Sequence, residues 1–363
     1  MPFPFAPENY QQQLSVKADH LTELLSGWSH PTIEIFASPT QHYRMRAEFR
    51  VWHEDDKSFF AMFRPEDRRT PVEVTEFPIA STLLNRLMEK VRIAIHEDPE
   101  LRFKLFQVEF LTTQSGDALI TLIYHRKLDE NWETRGRHWQ SVWGFPVIGR
   151  ARKQRFVLER DYVTETLQIG DQHFHFHQYE NSFTQPNAAV CEKMVAWAVA
   201  NSRGTQQYDL MEMYCGNGNF SIPMAKNFRN ALGTEISRTS VTSAQENIAL
   251  NKCQNLKIAR MASEDLSKAW LHNEPNRRFN EFGIQNYDFD TVLVDPPRAG
   301  LDDDTVELLK RFRRIIYVSC NPVTMVENIS KLQSTYQMTA AALFDQFPYT
   351  DHMESGVVLE RTE

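Results

Sequence analysis

The 363-residue sequence has only four cysteines, and no two of them lie close together. They are Cys191, Cys215, Cys253 and Cys320, so the chain contains no CxxC pair. Without such pairs, neither a zinc site nor an iron–sulfur cluster has a plausible set of ligands. We therefore expect reduced thiols, no metal and no iron–sulfur cluster.

Long apolar runs and an excess of positive charge are also missing. No run approaches the roughly 20 residues that a membrane-spanning helix needs, and the start, MPFPFAPENY, has neither the basic nor the apolar region of a secretory signal. These absences predict a cytoplasmic protein. The net charge of -8 argues against a protein that coats nucleic-acid phosphates indiscriminately, because such binding requires many Lys and Arg contacts. Any contact with nucleic acid should therefore be local.

The length is sufficient for two domains, and the two halves differ in pattern. From about residue 200, short apolar runs alternate with polar helical stretches, as is typical of parallel strands joined by crossover helices. The predicted strands are 209–214, 230–235, 256–260, 290–294, 315–319 and 356–360. The first half has β-rich stretches and one helix, at 43–51, 104–112, 118–125, 155–159 and near 79–96. We predict an α+β domain over 1–170, a connecting segment over 171–200, and a Rossmann-like doubly wound α/β domain over 201–363.

A glycine turn follows the first strand of the second half. DLMEMY runs into CGNGNFS, so Gly216 and Gly218 lie where backbone can approach a ligand closely, just before a helix. Alone this signal is weak, because such a turn is often only a tight connection. Glu235 ends the next strand. Its separation in sequence from the glycine turn is that at which an acidic residue would bind a ribose diol. Because the third glycine of GxGxxG is missing, an adenosyl cofactor without phosphates fits better than a dinucleotide.

Three further residues lie next to predicted strands. Asp295, in LVDPPRAG, ends a strand at the edge where open α/β sheets bind ligands; the alternative is a turn cap. Cys320, in RRIIYVSCNP, lies just beyond a buried strand; the alternative is apolar packing. Glu354 precedes the last strand in FDQFPYTDHMES, where aromatic residues could shield its carboxylate and raise its pKa. The presence of Glu354 favours a reactive role for Cys320.

Several motifs in order carry a resemblance to a known family. They are ENSFTQPN (180–187), YCGNGNFS (214–221), VDPPRAGLD (294–302), SCNP (319–322) and HMES (352–355). Together they resemble the RNA 5-methyluridine methyltransferases, and HYRMRAEFRVWH (42–53) and ALFDQFPYTDHMES (342–355) resemble the tRNA branch of that family. The resemblance implies an S-adenosylmethionine-dependent enzyme acting on a T-loop uridine, position 54 of tRNA, and on T-loop-like sites such as that of tmRNA.

The resemblance also implies roles for individual residues. S-adenosylmethionine would be bound by Gln185, Tyr214, Asn219, Glu235 and Asp295. Cys320 would be the nucleophile and Glu354 the proton acceptor. The chemistry requires both, because carbon 5 of uracil becomes nucleophilic only after a thiolate adds to carbon 6, and its proton must then be removed to release the cysteine.

Two alternatives stay open. One is a ribosomal RNA 5-methyluridine enzyme; such relatives typically carry an N-terminal cysteine cluster, whereas the first cysteine here is Cys191. The other is a tRNA-binding folding factor with a vestigial site, which the presence of both Cys320 and Glu354 disfavours. The tRNA enzyme is therefore the favoured reading, and we expect a monomer.

Residues that contact RNA are expected mainly in the first half of the chain. Between His125 and Arg155 basic residues outnumber acidic ones: Arg126, Lys127, Arg135, Arg137, Arg150, Arg152, Lys153 and Arg155. The tryptophans of this stretch, at positions 132, 139 and 143, are either a surface on which RNA bases stack or core residues. Arg50, Phe106 and His125 are candidate RNA contacts. Phe183 could stack on a base lifted out of its loop, or pack between domains. HFHFH (173–177) is interpreted as an exposed polar face rather than a metal site.

Overall fold

The computed structural model describes residues 5–29, 31–54, 57–64 and 66–362. Its strands are β1 Glu34–Phe36, β2 Arg46–Glu54, β3 Lys57–Arg64, β4 Asp67–Glu73, β5 Leu105–Thr112, β6 Ala118–Tyr124, β7 Val147–Ala151, β8 Gln154–Val157, β9 Tyr162–Ile169, β10 Gln172–Tyr179, β11 Thr205–Met213, β12 Phe228–Glu235, β13 Leu256–Arg260, β14 Phe289–Val294, β15 Arg314–Ser319, β16 Tyr336–Phe344 and β17 Glu354–Arg361. Its α-helices are α1 Tyr10–Leu24, α2 Thr82–Glu97, α3 Pro99–Arg102, α4 Glu130–Trp143, α5 Ala188–Asn201, α6 Ser221–Met224, α7 Arg238–Leu250, α8 Ser263–Leu271, α9 Arg277–Glu281, α10 Asp303–Leu309 and α11 Pro322–Ser330. No helix among the described residues has the length and apolarity to cross a membrane.

The chain divides into two compact units. The first comprises Met1–Glu8, Pro39–Thr166 and His177–Ala188, and the second comprises Asn9–Ser38, Leu167–Phe176 and Ala189–Glu363. This division differs from the predicted boundaries for residues 9–38, which the sequence pattern assigns to the first domain. The physical reason is that β1 pairs in parallel with β16, so the backbone of Glu34–Phe36 completes a sheet formed mainly by residues far along the chain.

The first unit contains a seven-stranded sheet in the order β4-β3-β2-β5-β6-β7-β8, antiparallel except where β6 and β7 run parallel. Phe49, Phe60 and Phe110 form an aromatic core, with ring centroids between 5.5 and 6.3 Å apart. Helix α2 lies in the region where a helix was predicted. It begins after Ser81 because the side chain of Ser81 accepts a hydrogen bond from the Leu84 amide, which caps the first turn.

The tryptophans of α4 are mainly core residues. Trp132 and Trp143 are each only 2% exposed, so the interpretation of these two as an RNA-stacking surface is wrong. Trp132 is buried because Gly149 on β7 leaves room for it: a Cβ at that glycine would come within 2.1 Å of the indole ring. Trp139 is half-buried, and its Nε1 donates to the Asp98 carboxylate.

The second unit contains an eight-stranded sheet in the order β1-β16-β17-β15-β14-β11-β12-β13. Strands β13, β12, β11, β14 and β15 are parallel, while β17 runs antiparallel to both β15 and β16. This is the predicted doubly wound α/β fold, and its six predicted strands are all present. Ser237 caps α7 as expected, accepting from the Ser240 amide. The polar segment 268–287, predicted to be a surface insertion, is largely exposed and holds α9 together with a 3-10 turn at Ile284–Asn286.

A buried ion pair joins α1 to the segment after β16. Lys17 Nζ lies 2.7 Å from Asp345 Oδ1, and the two side chains are 4% and 0% exposed. Lys17 also donates to the Phe347 carbonyl, and the Tyr349 amide donates to Gln13 Oε1. Helix α1 is therefore fixed by polar contacts to the stretch that leads into β17.

Candidate functional site

The candidate site lies where four parallel strands of the second unit end. Strands β11, β12, β14 and β15 end at one edge of the sheet, and the antiparallel β17 begins there. Ser319, the last residue of β15, pairs with Ser355 of β17. The next position of that register brings Cys320 and Glu354 together, and Asp295 directly follows β14 at the same edge. The sheet thus assembles three of the predicted site residues from segments distant in sequence.

Local hydrogen bonds fix the turn that carries Cys320. Asn321 caps α11, because its side chain accepts from the Val323 amide, and Pro322 occupies the first helical position, where no amide donor is required. The Ser319 hydroxyl accepts from the Asn321 amide at 3.0 Å and donates to its carbonyl at 2.9 Å. Cys320 is therefore held between a strand end and a helix start.

The thiol of Cys320 lines a cavity of about 290 Å³. The other lining residues are His20, Arg298, Asn321, Pro322, Val323, Asp351, His352 and Met353. His20 comes from α1, far away in sequence, and no sequence pattern singled it out. Cys320 itself is half-buried, so the thiol is shielded and yet open to a ligand in the cavity.

Burial and neighbouring charges set the protonation of these groups. Burial raises the pKa of Cys320, and the carboxylates of Glu354 and Asp295 raise it further. Glu354 is only 4% exposed, and its burial, together with the charge of Asp295, raises its pKa well above the ordinary value. Burial raises the pKa of Asp295 to about 7. A raised pKa makes the ionised carboxylate a stronger proton acceptor than an exposed one.

Arg298 is the cation of the site, and the residue-by-residue prediction missed it. Its Nη2 lies 3.0 Å from His352 Nδ1, and its carbonyl accepts hydrogen bonds from the side chains of Asn321 and Thr324. Its charge and a hydrogen bond lower the pKa of Cys320, and its charge opposes the rise at Glu354. Its position inside the VDPPRAG motif, directly after the second proline, was the signal available in the sequence.

We expect Arg298→Gln to slow the alkylation of Cys320 by iodoacetamide at every pH below the pKa of the thiol. Losing the guanidinium raises that pKa, so less thiolate, the reactive species, is present at a given pH. The rate is followed by peptide-resolved mass spectrometry across a pH series, which separates Cys320 from Cys253. Arg277→Gln, on exposed α9, is the matched control. An unchanged pH profile in the Arg298 variant would show that its charge does not act on the thiol.

The glycine turn after β11 forms an open cradle. Tyr214, Gly216 and Gly218 all adopt positive φ angles, of 63°, 55° and 85°. A Cβ at Gly216 would meet no heavy atom within 4 Å, so the space above this turn is open. The Gly216 amide donates to Glu235 Oε2 at 3.0 Å, and the Ser237 amide donates to Oε1 at 2.7 Å. The Glu235 carboxylate is therefore fixed beside the cradle, where a diol could donate to it.

Glu212 stabilises the start of the helix that follows this turn, and the sequence analysis did not identify it. It is 1% exposed, lies one residue before the end of β11 and accepts a hydrogen bond from the hydroxyl of Ser221, the first residue of α6. Burial raises its pKa to about 8, with a contribution from the charge of Asp295. The available signal was a single acidic residue within the otherwise apolar core of DLMEMY.

The two remaining cofactor candidates lie in different units. In the second unit, Asn219 donates from Nδ2 to the sulfur of Cys191 at 3.3 Å. In the first unit, Gln185 has a buried Oε1 that finds no hydrogen-bond partner among the described residues. A buried acceptor without a partner is costly unless a ligand supplies a donor. The Gln185 Oε1 is thus an acceptor available to a ligand. Within the second unit, the open cradle at Gly216 fits an adenosyl group.

The three predicted RNA contacts of the first unit lie together. The rings of Phe106 and His125 are stacked, with centroids 4.0 Å apart, and the Arg50 guanidinium lies 3.7 Å from the centroid of Phe106. We call Arg50, Phe106 and His125 the aromatic stack. Phe106 and His125 also line a cavity of about 900 Å³ together with Lys127, Arg150, Arg152 and Lys153. Phe183 is 76% exposed, as a base-stacking side chain requires.

Much of the predicted basic stretch is neutralised within the first unit. Arg135 pairs with Asp98, Arg137 with Glu133, and both Arg150 and Arg155 with Glu180. In β10, His173 and His175 are exposed, as the predicted polar face requires, but His177 is half-buried and stacks on Tyr162 with ring centroids 4.1 Å apart. Among the described residues, no three potential metal ligands form a cluster.

Comparison with known proteins gives consistent results. Residues 9–362 match the model of a family described as tRNA (Uracil-5-)-methyltransferase. A tRNA/tmRNA (uracil-C(5))-methyltransferase of Ectopseudomonas mendocina is 51% identical over 98% of both chains, and one of Chromohalobacter salexigens is 50% identical over 98% of this chain and 96% of its own. A solved structure, the Pyrococcus abyssi tRNA (uracil-54, C5)-methyltransferase in complex with S-adenosyl-L-homocysteine, superimposes with a TM-score of 0.72. It is 21% identical and covers 97% of this chain and 83% of its own, and at that identity it shows the fold.

Proposed function

The chain belongs to the tRNA (uracil-5-)-methyltransferase family, and we propose that it methylates carbon 5 of the T-loop uridine, position 54, of tRNA through a covalent bond to Cys320. It is an S-adenosylmethionine-dependent tRNA uracil-C5 methyltransferase. The observation that best supports the mechanism is the pairing of Ser319 with Ser355, which brings a thiol and a shielded carboxyl to one edge of the sheet.

Cys320 has the role of the nucleophile. Its sulfur bonds to carbon 6 of the uracil, and the electron pair of the 5,6 double bond moves into the ring to give an enolate, so that carbon 5 becomes nucleophilic. Burial and the nearby carboxylates raise the pKa of Cys320, and Arg298 partly offsets this rise and so favours the thiolate. The cavity at Cys320 holds the base close to Asp351, His352 and Met353, in the segment that precedes Glu354.

Glu354 has the role of the general base. After methylation, carbon 5 still carries its proton, and the ring regains its double bond only when that proton leaves and the Cys320 sulfur departs from carbon 6 with its electron pair. The raised pKa of Glu354 makes its carboxylate a stronger base for this proton.

S-adenosylmethionine, when bound, supplies the electrophilic methyl group. We propose that Glu235 accepts from the ribose diol, since two backbone amides fix its carboxylate beside the open cradle. Tyr214, Asn219 and Asp295 complete the binding residues in the second unit. Gln185 offers its buried Oε1 to a donor of the cofactor.

The RNA contacts are proposed for the first unit. A splayed T loop exposes unpaired bases, and flat aromatic surfaces such as the aromatic stack are what such bases pack on. Phe183 would stack on the base that leaves its loop to reach the thiol. The names of the relatives also include tmRNA, and we propose that a T-loop-like site in that RNA is a second substrate. A monomeric enzyme located in the cytoplasm, where tRNA is processed, completes the proposal.

A T-arm minihelix tests the substrate. We expect transfer of labelled methyl from S-adenosylmethionine to the minihelix that carries the loop uridine, and no transfer when cytidine replaces that uridine. A fragment of ribosomal RNA is the comparison substrate. Label in the ribosomal fragment without label in the minihelix would favour the ribosomal alternative, and RNA binding without any methylation would favour a folding factor.

A further inference from the structure

A second cavity of the first unit, of about 730 Å³, is dominated by arginine. The residues that line it are Arg50, Trp52, Phe63, Arg64, Arg68 and Arg69, from strands β2, β3 and β4. We call it the arginine groove. Arg50 also belongs to the aromatic stack.

The charge of this groove is not balanced as it is elsewhere in the unit. Arg135, Arg137 and Arg160 each lie within 2.7 Å of a carboxylate. By contrast, none of the four arginine side chains of the groove forms an ion pair with a carboxylate in the described part of the chain. Asp67 lies near Arg64, but hydrogen bonds from the Thr70 side chain and from the Arg69 and Thr70 amides, more than the charge of Arg64, lower its pKa.

The net charge of the chain is -8, and the four arginines of the groove gather positive charge at one place on its surface. All four side chains are exposed and carry planar donor sets that match phosphate oxygens. The groove is therefore suited to bind a polyanion supplied from outside.

Aromatic rings distinguish this groove from a simple basic patch. Trp52 and Phe63 are half-buried and pack edge to face, with ring centroids 5.9 Å apart, and Trp52 is oriented by a hydrogen bond from Nε1 to Glu54. Rings beside guanidinium groups are the combination that single-stranded nucleic acid binds, through sugar and base contacts as well as phosphates.

Arg50 connects the groove to the aromatic stack. It lines the groove, and its guanidinium lies 3.7 Å from the centroid of Phe106. A strand with a base on the aromatic stack therefore has its neighbouring phosphates within reach of the groove.

We propose that the arginine groove is a second RNA-binding site, which holds the sugar-phosphate backbone of the nucleotides next to the one on the aromatic stack. This inference rests on the proposed function and adds a contact that positions the RNA without reading its sequence. It predicts that the groove controls affinity and leaves the chemical step unchanged.

The test is the triple variant Arg64→Gln, Arg68→Gln and Arg69→Gln, with Arg50 kept in place because it belongs to the stack. Binding to the T-arm minihelix and to full tRNA is measured by fluorescence anisotropy over a salt series. Each lost phosphate contact lowers the magnitude of the slope of log K against log salt by about 0.7–0.9, so we expect the slope of the triple variant to fall by about two. We also expect its Kd to be at least about tenfold higher near physiological salt. The rate of methylation at saturating RNA should stay within about twofold of wild type, because phosphate contacts position the substrate only.

A control triple of the same charge change, Lys257→Gln, Arg277→Gln and Arg311→Gln in the second unit, separates a local site from a general charge effect. The inference is overturned if the groove variant keeps wild-type affinity and slope, if the control triple loses as much, or if binding is lost for full tRNA alone. These results leave the proposed function intact as long as wild type methylates the minihelix. Failure of wild type to methylate any tRNA would overturn the function instead.

Discussion

Cys320→Ala is expected to abolish methyl transfer to the T-arm minihelix, with a loss of at least about 10⁴-fold, because removal of the nucleophile from a covalent mechanism leaves only binding to assist the reaction. The same variant should form no bond to RNA that survives denaturing electrophoresis. RNA binding should stay near the wild-type level, since the thiol occupies a small part of a cavity of about 290 Å³.

Cys253→Ala is the matched control, because Cys253 is a partly exposed thiol that is not part of the Cys320 cavity. It should methylate at the wild-type rate. If the Cys320 variant retained more than a small fraction of wild-type turnover, carbon 5 would have to be activated without a covalent bond, and the mechanism would fail.

Glu354→Gln is expected to stall the reaction after the covalent bond has formed. The rate of turnover should fall by about 10²–10⁴-fold, the usual contribution of a general base, while a methylated RNA–protein adduct accumulates. Glutamine keeps the shape of the buried side chain but takes no proton. It also removes a negative charge that raises the pKa of Cys320, so formation of the adduct should be no slower than in wild type.

The adduct is measured as a shifted band on a denaturing gel with labelled RNA, and release of product is followed over time. Glu360→Gln is a suitable control, because Glu360 lies on the same strand, β17, and pairs with Arg314 away from the cavity. Release at the wild-type rate by the Glu354 variant would assign the proton to another base, such as Asp295, whose pKa of about 7 would permit that role.

Periodicity in the sequence predicted the parallel strands of the second unit well, because buried parallel strands are continuous apolar runs bounded by polar residues. Strand β16 was not predicted, because its sequence, YQMTAAALF, is rich in alanine, which has little preference for strands. The pairing of β1 with β16 escaped it as well, since three residues give no period and their partners lie some 300 residues away.

The same contrast applies to the site. Cys320, Asp295 and Glu354 could be selected from the sequence because each lies next to a strand end, and strand ends meet at a sheet edge. Their mutual effects on pKa could not be predicted, because these depend on burial and on Arg298, whose side chain is positioned by contacts across the site. Trp132 shows the same limit in the first unit, since only the packing against Gly149 distinguishes a core ring from an exposed one.

The buried pair of Lys17 and Asp345 has a consequence for the newly made protein. Helix α1 is synthesised more than 300 residues before its ion-pair partner and Glu354. Contacts so distant in sequence form slowly, because a long loop must close before they can contribute. We therefore expect a partly synthesised chain to present the proposed RNA contacts of the first unit well before Glu354 can join Cys320 at the sheet edge. Such a nascent chain could bind tRNA but not methylate it.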